Sequence, residues 1–158
     1  MPIRPAQPAD TPALVDLIGE LAAFEQLTHL LQVTPERLSL HLFGQRPAAE
    51  CVVVEQDDEV LAFALYFHNF STFLGQPGLY LEDLYVRPAH RGKGIGRSLL
   101  SHLAGVAQER GCGRFEWSVL DWNANAISFY EKLGATVMPD WRICRITGSQ
   151  LEALASSR

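Results

Sequence analysis

The spacing of apolar residues predicts two amphipathic helices after a short strand at residues 3–5. Asp10 precedes apolar positions that recur at a period of about 3.6 residues as far as Phe24, which is typical of a helix with one buried face. Thr34 and Pro35 then have the residue types of a helix cap and first turn, and Gly44 ends the second helix.

The pattern changes to strand-like runs at residues 51–55 and 60–70, which a polar turn at 56–59 joins as antiparallel neighbours. An apolar strand follows at 79–86, interrupted by the adjacent acids Glu82 and Asp83. Beyond a glycine-rich turn at 91–96, the chain predicts a helix, a strand at 115–120, a helix at 123–133, strands at 135–138 and 141–146, and a short terminal helix. Because strand-helix-strand crossovers join parallel strands, strands 79–86 and 115–120 are expected to be parallel neighbours.

Composition narrows the class of protein. The chain has 158 residues, 47% hydrophobic and 20% charged, with a formal net charge of −5, which favours one mixed α/β domain spanning 1–158. No apolar stretch approaches the length of a membrane span, and the N-terminus lacks the apolar core of a signal peptide, so a cytoplasmic protein without membrane contact is expected. The absence of a basic run argues against nucleic-acid binding.

Cysteine and histidine spacing predicts no metal site. The three cysteines are widely separated and form no Cys-x-x-Cys pair, and the five histidines show no His-x-x-x-His spacing. A metal cofactor is therefore not expected.

The turn R-G-K-G-I-G combines three glycines with basic residues at the start of a helix. Unpaired N–H groups and the helix dipole make such a turn an anion-binding site, and the expected ligand is a pyrophosphate. A Walker loop does not fit, because Gly96 is followed by Arg97 and Ser98. A dinucleotide fingerprint does not fit either, because its third glycine would stand where the chain has Leu99. A flexible loop with a solvated basic edge remains the alternative.

Four segments in order, YLEDLYV, RGKGIG, WNANAISFYEKLGA and a late WR, resemble the GCN5-related N-acetyltransferase superfamily. IRPA and ELAAFE near the start extend the resemblance to the diamine, or spermidine/spermine-type, subgroup with its thialysine-type members. The resemblance implies a single-domain α+β fold with a mixed, mostly antiparallel sheet of about seven strands and helices on both faces. In that fold a bulged, splayed central parallel pair holds acetyl-CoA, here within a core at about residues 79–134.

Site residues follow from the same resemblance. It implies that acetyl-CoA contacts Leu84, Tyr85, Val86, Arg91, Gly92, Lys93, Gly94, Ile95, Gly96, Arg97, Asn123 and Ala126. It implies that a small cationic amine contacts Glu25, Glu82, Asp83, Glu116, Asp140 and Trp141. It also implies a homodimer.

Acetyl transfer to an alkylamine requires removal of a proton, because an amine of pKa about 10.4 is almost wholly protonated at pH 7. Glu82 is the candidate base, directly or through a water, although a salt-bridge role remains open. Asp83 is expected on the opposite face, because strand neighbours alternate. Tyr130 matches the family's general acid, which protonates the leaving thiolate, although Phe129 and Tyr130 could also be a packing pair.

Some residues of this chain differ from those usual in the subgroup, and these differences affect which amine acceptor is expected. Phe24 replaces the usual Tyr beside Glu25, and Ser71 and Thr72 occupy the stretch where the subgroup carries a loop acid. The expected acceptor is therefore a shorter diamine, a lysine-like or thialysine-like amine, or another small alkylamine. A non-catalytic acyl-CoA-binding module and an acetyltransferase acting on protein amines remain alternatives.

Overall fold

The computed structural model describes residues 2–158. In that range the helices are α1 (Thr11–Phe24), α2 (Pro35–Phe43), α3 (Ile95–Glu109), α4 (Ala124–Lys132) and α5 (Gly148–Ser156). The strands are β1 (Ile3–Pro5), β2 (Glu50–Gln56), β3 (Glu59–Ser71), β4 (Gln76–Val86) and β5 (Arg114–Trp117). Short 3₁₀ turns lie at Pro8–Asp10, Thr28–Leu30 and Pro88–His90.

The strands form one mixed sheet in the order β1-β2-β3-β4-β5. Neighbours from β1 to β4 are antiparallel, and β4 and β5 are parallel. Helix α3 provides the crossover between the parallel pair, as expected from the strand-helix-strand pattern. The expected α+β fold class is confirmed.

The first two helices begin and end where the sequence predicts. The Thr34 hydroxyl accepts a 3.1 Å hydrogen bond from the Arg37 N–H, which satisfies one free donor at the start of α2. Gly44 caps the other end, and its N–H donates to the Leu40 carbonyl at 3.0 Å. Leu14 and Leu17 of α1 are completely buried, so the 3.6-residue pattern corresponds to a real core-facing stripe.

The sheet has helices on both faces, as expected. Helices α1 and α2 pack on the face that carries Val53, Phe63 and Tyr85. Helix α3 packs on the other face: a Cβ placed on Gly96 would lie 3.9 Å from Leu84, the strand neighbour of Tyr85. The buried side chains of α3 are Ile95, Leu99, Leu100, Leu103 and Ala107.

The expected count of about seven strands is wrong for the described residues, which form five strands. Residues 135–138 and 141–146 carry neither helix nor strand. Neither alternate set of residues in 141–146 is wholly apolar, because Arg142 and Arg145 fall on opposite sides of the alternation. Such a pattern does not specify one buried face, and the shorter run at 135–138 ends at Pro139.

The chain divides into two compact units, Met1–Ser118 and Val119–Arg158. The first contains the whole sheet with α1 to α3, and the second contains α4, α5 and the segment between them. No helix within residues 2–158 is long and apolar enough to cross a membrane.

Candidate functional site

The turn before α3 has the backbone that an anion site requires. Gly92 and Gly94 have φ angles of 76° and 81°, in the left-handed region that favours glycine. A Cβ on either residue would meet no heavy atom within 4 Å, so the surface of the turn is open. Gly94 is the N-cap of α3, whose first N–H groups have no carbonyl partner within the helix. This geometry fits a pyrophosphate.

The side chains around the turn divide into three kinds. Lys93 and Arg97 are exposed and supply positive charge beside the open backbone. Ile95 is buried, with 5% of its surface exposed, so it anchors the turn and leaves its backbone N–H for a ligand. The Arg91 guanidinium instead lies over the rings of Phe24 and Tyr85.

A β-bulge interrupts β4 at Glu82. Leu81 pairs with Tyr66 of β3 and Asp83 pairs with Leu65, so Glu82 is the extra residue between two consecutive partners. On the other side of β4, pairing with β5 ends at Leu81 and Trp117. Residues 82–86 therefore have β3 as their single strand neighbour in the described chain. Their second edge, at Leu84, Tyr85 and Val86, has no strand neighbour among the described residues, although the Val86 carbonyl accepts a hydrogen bond from Nε of Arg91. The remaining backbone groups of this edge could pair with the amides of an extended ligand arm.

The bulge changes the face on which Asp83 lies. Phe67 and Leu65 are two residues apart on β3 and share a face, and their partners on β4 are Tyr80 and Asp83. Tyr80 and Asp83 therefore share that face although they are three residues apart. Strict alternation from Tyr80 would put Asp83 on the opposite face, and the bulge reverses this. The expected placement of Asp83 opposite Glu82 stays a prediction.

The charges of two carboxylates act on a third at the bulge. Burial raises the pKa of Asp83 to about 6, and the negative charges of Glu82 and Glu25 contribute to that rise. Burial also raises the pKa of Glu25, which follows the last residue of α1. Glu82 is exposed at the surface. The sequence-predicted acids Glu25, Glu82 and Asp83 are therefore brought together, and they form a negatively charged region suited to a cation.

Glu116 lies on β5 opposite Tyr80, where it is half-buried. The Tyr80 hydroxyl is 2.7 Å from the Ser118 hydroxyl, and its ring lies 5.2 Å from that of Phe67. Tyr80 and Ser118 were not among the residues expected from the sequence. Their contact joins β4 to the chain just beyond β5, where the two strands stop pairing, and only tertiary structure could reveal it.

The second unit contains the other expected residues. The Asn123 side chain accepts a 3.3 Å hydrogen bond from the Ala126 N–H and so caps α4. Tyr130 is half-buried on α4, with its ring 5.6 Å from that of Phe129. Asp140 and Trp141 lie in the segment without regular structure, and the Trp141 side chain is 77% exposed. Their roles in catalysis and binding remain predictions.

Among residues 2–158, no group of three or more His, Cys, Asp or Glu side chains is arranged to hold a metal ion.

Comparison with known proteins matches the family described as Acetyltransferase (GNAT) to residues 19–135. The chain is 36% identical to an L-ornithine N5-acetyltransferase, NATA1, of Arabidopsis thaliana, over 96% of this chain and 86% of that protein. It is 37% identical to a thialysine N-epsilon-acetyltransferase of Mus musculus, over 97% of this chain and 96% of that protein. Among solved structures, an integron cassette protein from V. cholerae superposes with a TM-score of 0.81 at 28% identity, covering 98% of this chain and 96% of that chain.

Proposed function

Because the chain belongs to the acetyltransferase (GNAT) family, we propose that it transfers the acetyl group of acetyl-CoA directly to the primary amine of a small cationic acceptor. The observation that carries the acceptor class is the set of carboxylates at the β4 bulge, Glu25, Glu82 and Asp83. Relatives named for ornithine and thialysine acetylation support an acceptor with an amine at the end of a short side chain.

Acetyl-CoA supplies an activated thioester, and the residues of the first unit fit its two polar regions. Gly92, Gly94 and the first N–H groups of α3 would hold the pyrophosphate, with Lys93 and Arg97 adding charge. The open edge of β4 at residues 84–86 would pair with the pantetheine amides. Asn123 and Ala126, expected contacts of the same arm, are hydrogen-bonded to each other at the start of α4.

The acceptor must lose a proton before its nitrogen attacks the thioester carbon. At pH 7 an amine of pKa about 10.4 is unprotonated in roughly 0.04% of molecules, a cost of about 4.6 kcal/mol. Glu82 is the proposed proton acceptor, directly or through a water, because it is the exposed carboxylate at the bulge. Asp83 and Glu25 hold the remaining positive charge of the acceptor. Attack forms the new C–N bond, and collapse of the intermediate breaks the C–S bond.

The departing CoA thiolate then needs a proton. Tyr130 is the proposed donor: transfer from a phenol of pKa about 10 to a thiolate whose conjugate thiol has a pKa of about 8.5 is uphill by only about 2 kcal/mol. The tyrosinate then takes the second proton of the attacking nitrogen, which is cationic in the intermediate, so the products are the neutral amide and the CoA thiol. The support for this role is the position of Tyr130 within the family's helix motif, WNANAISFYEKLGA.

The experiment is an acetyl-CoA turnover assay with putrescine, spermidine, ornithine, lysine and thialysine, together with the Tyr130→Phe variant. We expect the highest kcat/KM with a short amine and a kcat at least tenfold lower in the variant. A protein that binds CoA in calorimetry yet shows no single-turnover chemistry with any amine would instead be an acyl-CoA-binding module. Full activity of Tyr130→Phe would remove Tyr130 from the mechanism.

We further propose that the enzyme works in the cytoplasm as a homodimer, independently of membranes and nucleic acids. The homodimer rests on the resemblance to the diamine acetyltransferase subgroup, and the net charge of −5 disfavours binding to nucleic acid. Sedimentation equilibrium across a concentration series tests the assembly, and a single species of monomer mass at micromolar concentration would contradict it.

A further inference from the structure

The arginine that opens the glycine-rich turn does not extend its side chain along that turn. The Arg91 guanidinium carbon lies 5.1 Å from the centre of the Tyr85 ring and 5.3 Å from the centre of the Phe24 ring. Its Nε donates a 2.9 Å hydrogen bond to the Val86 carbonyl. Three contacts therefore hold the guanidinium between the end of α1 and the end of β4, in the distance range of cation–π interactions.

A second arginine, Arg87, contacts α1 one turn earlier than Arg91 does. Nη1 of Arg87 donates a 2.6 Å hydrogen bond to Oε2 of Glu20, and its Nε donates to the Val60 carbonyl at 3.0 Å. Glu20 and Phe24 are four residues apart on α1 and so lie on one face of the helix. Arg87 and Arg91 together fix the last two turns of α1 against the end of β4.

The end of α1 that Arg87 and Arg91 contact is followed by Glu25, one of the carboxylates proposed to bind the amine acceptor. Glu25 directly follows Phe24, and Asp83 lies two residues before Tyr85 on the same face of β4. The negative charge of Glu25 contributes to the raised pKa of Asp83, so the two carboxylates share one electrostatic environment. Arg91 thus contacts Phe24, which directly precedes Glu25. It also contacts Tyr85, which lies on the same face of β4 as Asp83.

We propose that Arg91 is a positioning residue for the amine acceptor: its guanidinium, clamped by Phe24, Tyr85 and Val86, sets the position of Glu25 relative to Asp83. The turn that binds the pyrophosphate would then begin with a residue whose side chain serves the acceptor rather than the cofactor. This inference rests on the proposed function, because it assigns Glu25 and Asp83 to the acceptor.

The kinetic test separates an effect on binding of the amine acceptor from an effect on binding of acetyl-CoA. Phe24→Leu keeps an apolar side chain but removes the aromatic face, and we expect the KM for the amine to rise about three- to fivefold, with kcat and the KM for acetyl-CoA within twofold of wild type. Phe24→Tyr keeps an aromatic ring at this position and should keep the KM for the amine at the wild-type value. Phe73→Leu is the matched control, because Phe73 is an aromatic residue with 95% of its surface exposed.

Arg91→Lys should raise the same amine KM, and adding Phe24→Leu to it should cause little further change, because the two residues act through one contact. A rise in the KM for acetyl-CoA without a rise in the amine KM would show that Arg91 is a pyrophosphate ligand and overturn the inference. Independent, additive effects of the two substitutions would also overturn it.

A third measurement needs no catalysis. Carboxyl-carbon NMR titration follows the pKa of Asp83, whose neighbouring titratable groups are Glu82, Glu25 and the Cys51 thiol. Burial and the charge of Glu82 raise the Asp83 pKa more than Glu25 does. If Phe24 positions Glu25, the Asp83 pKa should therefore fall by a small part of its shift in Phe24→Leu and stay unchanged in Phe73→Leu, while calorimetric CoA affinity is unaltered. An unchanged Asp83 pKa in Phe24→Leu would overturn the positioning role. Failure of the wild type to acetylate any amine would refute the proposed function separately.

Discussion

The two halves of β4 differ in a way that explains how a strand becomes a binding site. Up to Leu81 the strand has neighbours on both sides, β3 and β5, and Leu79 and Leu81 are almost completely buried. From Glu82 onward it has one strand neighbour, and it carries two acids and an open edge. The paired half contributes to stability through core packing. The half beyond the bulge has an edge without a strand neighbour in the part of the chain that the structure describes, and it carries Asp83, a carboxyl whose pKa burial raises. Neither feature would be favoured by stability alone.

The largest effect is expected from removing the bulge. Deleting Glu82 would leave Leu81 and Asp83 adjacent, opposite the adjacent residues Tyr66 and Leu65, and so restore an uninterrupted ladder with β3. We expect kcat/KM to fall at least about 10³-fold, because both the base and the local geometry are lost, while the protein stays folded. Steady-state kinetics and far-UV circular dichroism measure the two properties. Glu82→Ala keeps the residue count and is the control that should retain acetyl-CoA binding.

A large effect on stability, but not on chemistry, is expected in the paired half. Leu79→Ala removes a side chain with no exposed surface and should lower the free energy of unfolding by about 3 kcal/mol. Leu84→Ala, beyond the bulge and only half-buried, should cost about 1 kcal/mol. Urea denaturation measures both changes. Equal losses would show that the two halves of β4 do not differ in packing.

Glu82→Gln tests the proposed base while preserving its shape. We expect kcat to fall about 100-fold at pH 7, and the deficit to shrink as pH rises, because more of the amine is already unprotonated in solution. A pH–rate profile from pH 6 to 10 measures this convergence. A deficit that stays constant across that range would contradict proton acceptance by Glu82.

The smallest effect is on stability and comes from Asp83. Its folded-state pKa of about 6 lies above the ordinary value of 3.8, so the folded protein binds the proton more tightly than the unfolded chain. This group therefore favours folding below about pH 4, and its contribution is lost as pH rises to about 6. Asp83→Asn should be more stable than wild type at pH 7.5 by about 1–2 kcal/mol, a value reduced by partial exposure to solvent.

The measurement is the difference in unfolding free energy between Asp83→Asn and wild type at pH 4 and pH 7.5. That difference should shift in favour of the variant as pH rises, while the amine KM of the variant increases. Other pairs, such as Asp10 with Arg4, have the opposite pH dependence, and subtracting wild type removes them. A difference that is independent of pH would contradict the raised Asp83 pKa.

Local patterns predicted most of the elements of the first unit. The periods of apolar residues located α1, α2 and α3, and the crossover rule predicted that β4 and β5 are parallel. The same reasoning failed at residues 135–146, because a strand forms only where a partner supplies its hydrogen bonds. Alternation cannot be counted through Glu82 to the face of Asp83, because alternation is a property of an unbulged strand.

The amino-acid sequence by itself determined the features that depend on residues close together in the chain. These are the glycine-rich turn before a helix, the two acids in a strand and the order of motifs typical of the family. What only the tertiary structure decided is which distant residues share a site. The bulge at Glu82, the end of pairing at Leu81 and the clamp of Arg91 between α1 and β4 depend on register and packing between segments far apart in the chain. A bulge and the end of a ladder are defined by which residues of two strands pair, so the sequence of one strand does not contain them.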